Sequence, residues 1–280
     1  MLKYTKGYLL LLLVTTSNIF AQDNFAFVSS HIDAKADLYA STAQQIWNWA
    51  ELGYQENQSS QALQQLLRAA GFRITSPVAD IPTAFVAEYG FGKPVIGLLG
   101  EYDALPGVSQ AAVPHQQIQE GSANGHACGH HLFGTASVAA AIAVKEWMEA
   151  HGQQGTIRFY GTPAEEGGAG KVYMVRAGLF EGVDAVLHWH PGMETGQMQG
   201  LRLLMYRLNF VFTAKRRAAA APCRGRSALD GVEAMNYMVN LMREHITPES
   251  RIHYVITKGG EAPNVIPAFA EAFYYVQPSG

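Results

Sequence analysis

The sequence predicts an α/β protein: a mainly parallel sheet with helices over residues 22–205, then a smaller α/β domain over residues 206–280. Three observations carry this reading. Short apolar runs alternate with helix-patterned stretches through the first part of the chain. Four polar loops rich in metal-capable side chains each fall where one of those runs ends, or just after it. Near residue 205 the strands change character, from continuous apolar runs to an in–out alternation.

The elements follow in order. "MLKYTKGYLLLLLVTTSNIFAQDN" places Lys3 and Lys6 before an apolar run from Tyr8 to Val14 and a small residue at Ala21. That is the layout of a secretory signal peptide over residues 1–21. The run is short for a bilayer span, and no later stretch approaches ~20 apolar residues. The expectation is an exported soluble protein, periplasmic or secreted, without a stable membrane anchor; a retained anchor is the alternative. "DAKADLYASTAQQIWNWAELGYQE" carries Leu38, Ile46 and Trp49 at helical spacing, and "SSQALQQLLRAAGF" reads as a second helix stopped near Gly71. "TAFVAEYG" and "PVIGLLG" read as short buried strands. "LFGTASVAAAIAVKEWMEAHG" reads as a long small-residue helix closed by Gly152, and "GTIRFYG" as a strand. Residues 172–179 read as a short helix and "DAVLHWH" as a further strand. Beyond residue 205, "RLNFVFTA", "IHYVITK" and "EAFYYVQ" read as strands around the amphipathic helix "ALDGVEAMNYMVNLMREHI". No period of 20–50 residues repeats, which excludes a solenoid.

Composition narrows the partners. Charged residues make up 15% and the net charge is -3, so a nucleic-acid partner is not expected. Lys215, Arg216 and Arg217, with Arg224 and Arg226 beyond, are too short a basic cluster for a phosphate track. Two cysteines are a poor disulfide framework even in an exported chain. A Cys128–Cys223 bridge is the lesser reading, and Cys223 is most simply an incidental small residue.

The four loops are "GEYDALPG" (Glu101, Asp103), "GHACGHH", "TPAEEGG" (Glu165, Glu166) and "LHWHPG" (His188, His190). In open α/β sheets ligand sites gather beyond the carboxyl ends of strands, so loops far apart in sequence can meet at one edge. Cys128 and His130 are two apart and would face one side of an extended backbone. Thiolate and imidazole suit zinc and similar transition metals, not an oxygen cage for calcium. Glu165 and Glu166 are adjacent, so one can hold metal while the other faces an attacking water. Asp103 can orient a ligand histidine from behind.

Blander readings stand beside these. At least one of His126 and His131 is expected to be a hydrogen-bonded neighbour, and His188, opposite His190 in a strand, a structural residue. The Glu pair can be solvated surface, and Cys128 can be a nucleophile with a histidine base. A closed structural zinc site favours more cysteines than the chain has. No G-x-S-x-G elbow occurs, and "GGAGKV" lacks the phosphate-loop spacing and the Ser/Thr after Lys171.

Together "GLLGEYDALPG", "NGHACGHHLFGT", "GTPAEEGGAGK", "DAVLHWHP" and "GGEAPNVIP" resemble the aminoacylase-like metallo-amidohydrolases, collinearly over roughly residues 30 to 275. The branch acting on aminobenzoyl amino acids is the nearest in pattern. The resemblance implies a catalytic α/β domain with two divalent metals, zinc or manganese, and an inserted lid that forms a dimer interface. A homodimer or a related subunit is therefore the expected partner. It implies hydrolysis of a small-molecule amide: an N-acyl or aminobenzoyl amino acid, or a small dipeptide. Carried over by motif, Cys128, His130, Glu166 and His190 are metal ligands, Glu165 the general base, Asp103 the orienter and Asn264 a substrate-binding lid residue. Two departures bear on this. "KRRAAAAPCRGRS" puts Arg217 where the family places a histidine that steadies the oxyanion, which makes Arg217 a substrate-binding candidate. The chain also ends at Gly280, where family members return to the catalytic domain with a last histidine ligand. The expectation is a truncated chain, and the alternative to an active enzyme is an inactive remnant that binds metal or a partner.

Overall fold

The computed structural model describes residues 24–192, 206–214, 217–218 and 225–278. The leader at 1–21, the domain boundary expected at 205, Lys215, Arg216, Cys223, Arg224 and the side chain of Arg217 lie outside the described residues. The chain divides into two compact units, Met1–Glu194 and Thr195–Gly280. Among the described residues no helix is long and apolar enough to cross a membrane.

In the first unit a helical stretch at 24–33 leads to α1 (Ala36–Trp49), α2 (Asn57–Ala69), β1 (Arg73–Thr75), β2 (Phe85–Phe91) and β3 (Val95–Gly100). Then come α3 (His130–His151), β4 (Gly155–Gly161), α4 (Glu165–Gly168), α5 (Gly170–Arg176) and β5 (Ala185–Leu187). The sheet order is β1-β2-β4-β3-β5. Strand β3 runs parallel to both β4 and β5, while β1 and β2 join antiparallel. Strand β4 is central and almost wholly buried, with only Arg158 partly exposed. Ile46, Leu63, Leu67, Phe85, Val138, Ile142 and Phe159 form the core that α1, α2 and α3 share with the sheet.

Small residues let α3 start hard against the end of β3. A Cβ on Gly134 would lie 2.5 Å from the backbone oxygen of Glu101, and one on Gly100 2.5 Å from Phe159 Cζ. Gly134→Ala must push the helix away from the strand end or bend it. It is expected to cost ~1–3 kcal/mol, as overpacking does. The check is a lower midpoint in urea unfolding at an unchanged slope.

Three expected boundaries move. Helix α1 stops at Trp49 because Ala50 turns left-handed, with φ 44, and residues 51–56 form a separate connector. The buried face of α1 is Tyr39, Thr42, Ala43 and Ile46, with Leu38 exposed. The short helix covers Gly170–Arg176, and β5 ends at Leu187, so His188 and His190 leave the strand before they act.

The second unit holds β6 (Tyr206–Thr213), β7 (Arg217–Ala218), α6 (Ala228–Met242), a 3₁₀ turn (Arg243–His245), β8 (Arg251–Lys258), β9 (Val265–Ile266) and β10 (Phe269–Gln277). An antiparallel sheet of order β6-β10-β8 packs on α6. Ala228 and Val232 meet Ile252, Ala270, Ala272 and Tyr274 in a small core. Ser227 caps α6 by accepting the amide of Asp230 at 3.2 Å. Strands β7 and β9 pair separately, Arg217 opposite Ile266.

Candidate metal centre

Each polar loop leaves the first unit's parallel strands at the same end. Glu101 and Asp103 follow β3, Glu165 and Glu166 open α4 just after β4, and His188 and His190 follow β5. Gly129 takes φ 80, a left-handed conformation that glycine adopts without penalty, and turns the chain into α3. Cys128 lies in that turn and His130 is the first helical residue. The two side chains therefore meet through a turn, not by alternation along an extended strand as the spacing suggested.

His130 is the centre of the arrangement and is fully buried, at 0% exposure. Its Nδ1 lies 2.9 Å from Asp103 Oδ1 and 3.1 Å from the Asp103 carbonyl oxygen. With Nδ1–H donating to Asp103, Nε2 keeps its lone pair for the other side of the ring. There Nε2 stands 2.9 Å from Glu101 Oε2, but off the line a hydrogen bond requires, so neither atom has a hydrogen-bond partner. Ligand-capable atoms of Cys128, His130 and His190 lie within 4.8 Å of one another, and so do those of Glu101, His130 and Glu165. His130 belongs to both sets. Cys128 Sγ is 3.3 Å from His190 Nε2, and the thiol is free of any disulfide. Glu166 is tied in by its backbone, whose amide donates to Asp103 Oδ2 at 3.0 Å, and its Oε1 is buried without a hydrogen-bond partner.

The electrostatics follow from burial and crowding. Burial opposes the charge on His130, yet Asp103, Cys128 and Glu101 push it up to about 12. Burial likewise resists ionisation of Glu101, but His130, His188 and Lys171 hold that carboxyl well below the usual range. Lys171 Nζ pairs with Glu101 Oε1, and His188 Nε2 lies 3.8 Å from the same oxygen. Burial raises Glu166, against the opposing pull of Cys128 and His130. An excess of carboxylates around one imidazole raises its proton affinity, and the same excess favours a divalent cation. The donor set fits one. Thiol, imidazole and carboxylate atoms face a common space, and Glu101 Oε2, His130 Nε2 and Glu166 Oε1 are buried without hydrogen-bond partners.

The remaining candidates sort by place. His126 approaches the carbonyl of Ile46 through Nε2 at 3.0 Å, and His126 and His131 pack around Trp47. Burial pushes both histidines down to about 4, and neither joins a ligand set. Asn264 sits exposed in the turn before β9, and Arg217 lies in β7. Both belong to the second unit, whereas every residue of the cluster belongs to the first. Sequence reasoning counted Glu101 among the loops' candidate ligands but carried it no further, weighed Lys171 only against a phosphate loop, and passed over Glu56. Glu56 is 0% exposed and accepts from the amide of Ala164 and from Thr83 Oγ1, each at 2.8 Å. No periodicity or spacing marks a buried glutamate of that kind.

Comparison with known proteins gives the chain's family. Residues 97–273 match the peptidase family M20/M25/M40. The chain is 47% identical over 260 residues to one subunit of the p-aminobenzoyl-glutamate hydrolase of Escherichia coli (strain K12), covering 91% of this chain and 54% of that protein. It is 31% identical over 261 residues to Xaa-Arg dipeptidase of Mus musculus, covering 88% and 56%. The chain thus spans about half the length of the curated relatives it matches. The YXEP protein of Bacillus subtilis, described as a dinuclear metal binding peptidase from M20 family, shares the fold. Its TM-score is 0.60 at 24% identity, covering 89% of this chain and 65% of that one. The chain belongs to peptidase family M20/M25/M40.

Proposed function

We propose that the protein is a metal-dependent amidohydrolase that cleaves the amide bond of an N-acyl or aminobenzoyl amino acid, or of a small dipeptide. The observation that carries this is His130, common to two sets of converging lone pairs and oriented from behind by Asp103. Cys128, His130, Glu166 and His190 would hold two divalent cations, zinc or manganese. Bound there, the cations supply Lewis acidity at the scissile carbonyl and lower the pKa of water. Glu165, exposed in the first turn of α4, takes the proton of the attacking water on its carboxylate and passes it to the leaving nitrogen. Asp103 keeps His130 in the tautomer whose Nε2 faces the cation. Asn264 and Arg217 remain the substrate-binding candidates, a guanidinium being suited to a carboxylate or an oxyanion. Similarity to the Escherichia coli hydrolase supports an aryl or acyl amino acid as substrate and a second copy or a related chain as partner. The N-terminal leader pattern supports export.

Chelation tests the reading. In excess chelator, hydrolysis of aminobenzoyl-glutamate and of acyl amino acids by the purified protein is expected to fall to background. Adding back zinc or manganese restores it, and elemental analysis reports about two ions per chain. Undiminished turnover in excess chelator refutes the proposal.

A further inference from the structure

The connector Glu51–Glu56 reaches two of the site's loops. The carbonyl of Glu51 accepts the amide of Ala104 at 2.8 Å, so the connector lies beside the loop that carries Asp103. On its other side it meets the turn that presents Glu165 and Glu166. Gly53 approaches so closely that an added Cβ would lie 2.9 Å from Ala164 Cα. Tyr54 Oη donates to the carbonyl of Gly168 at 2.7 Å. Glu56 spans the middle, with Oε1 on the amide of Ala164 and Oε2 on the hydroxyl of Thr83. Thr83 is itself fixed, because its carbonyl accepts from Tyr102 Oη at 2.6 Å and Ser60 Oγ at 2.8 Å.

Ala164 needs such a hold. It sits at φ 56 and ψ 43, a left-handed conformation that is unfavourable for an L-residue and persists only where the surroundings over-determine it. The direction in which the next two side chains leave the backbone depends on that one residue. We propose that Glu56 is a positioning residue: its buried carboxylate, braced by Thr83, locks the amide of Ala164 and so aims Glu165 and Glu166 at the centre. This rests on the reading of Glu165 as base and Glu166 as ligand. It adds the device that sets their geometry. Glu56 belongs to neither cluster of ligand-capable atoms. Its effect passes through the backbone and is separable from theirs.

The test uses Glu56→Ala and Glu56→Gln in the full chain, each first shown to melt cooperatively. Glutamine keeps an acceptor for Ala164 and turns its amide toward the Thr83 hydroxyl, so it preserves the lock without the charge. In Glu56→Ala, kcat is expected to fall ~10²-fold with little change in KM, the scale of a misplaced catalytic group. The visible spectrum of the cobalt-substituted protein changes, and the amides of residues 164–168 exchange faster with deuterium. In Glu56→Gln all three readouts return close to those of the unsubstituted chain. If Glu56→Ala does not fold, Thr83→Val loosens the far carboxylate oxygen and is read the same way. A folded Glu56→Ala, or Thr83→Val in its place, with unaltered cobalt spectrum and amide exchange overturns the positioning role, as does a Glu56→Gln as impaired as alanine. Absence of metal-dependent hydrolysis in the unsubstituted chain overturns the functional reading instead, and amide exchange at 164–168 then still decides the role of Glu56.

Discussion

Glu165→Gln is expected to lower kcat for amide hydrolysis by ~10²–10⁴-fold, the usual worth of a general base, with metal content unchanged. The two carboxylates of "AEE" differ in surroundings. Glu165 is exposed, and its oxygen lies within 4.8 Å of ligand-capable atoms of Glu101 and His130. Glu166 is half-buried, has a buried oxygen without a hydrogen-bond partner and is raised chiefly by burial. An exposed carboxylate beside the centre can take up and release a proton to solvent, whereas a buried one is better suited to hold a cation. Glutamine at 165 keeps size and polarity but accepts no proton, and an exposed exchange of this kind shifts stability by no more than ~0.5 kcal/mol. Steady-state kinetics on one preparation, with elemental analysis alongside, separate the two roles. Unaltered turnover removes Glu165 from the chemistry, and loss of metal makes it a ligand instead.

Much of the first unit was legible because its signals are local. "GTIRFYG" reads as a strand from Ile157, Phe159 and Tyr160 between two glycines, and becomes the central, almost wholly buried strand. "LFGTASVAAAIAVKEWMEAHG" closes at Gly152, which takes φ 60 at the helix end. The convergence of the loops was legible because strand ends and polar side chains coincide, a rule of sheet topology. What escaped is what depends on long-range packing. The break at Ala50 lies inside a stretch whose apolar spacing stays helical, and only the docking of residues 51–56 against Ala104 and Ala164 explains it. The antiparallel entry of β2 has no local cue, since β2 and β3 are neighbours in sequence but β4 lies between them. The extended geometry assumed for Cys128 and His130 failed because one glycine at φ 80 replaces alternation with a turn. Glu101 and Lys171, 70 residues apart, pair only once the loops after β3 and β4 have met.

His130→Ala is expected to abolish cation binding and to destabilise the fold together. The imidazole is fully buried, with Asp103 on one nitrogen and Glu101 near the other. Alanine leaves those two carboxylates, exposed by 1% and 2%, facing each other without the group between them. Lys171 still pairs with Glu101, but Asp103 loses the imidazole it holds, and removing one member of a buried charged set costs ~3–5 kcal/mol. For a unit of this size that lowers the melting temperature by ~6–20 °C. A cation that binds the folded state raises the melting temperature by mass action, so zinc or manganese stabilises the unsubstituted protein and leaves His130→Ala unmoved. Thermal melts with and without added metal provide the check. The stoichiometry carries the sharper consequence. Of the four proposed ligands, His130 alone belongs to both clusters of ligand-capable atoms, so one substitution should empty the centre and not merely halve it. A His130→Ala protein that keeps half its metal would mean that one set closes without the shared imidazole, and the two-cation site would have to be rebuilt around the residues that remain.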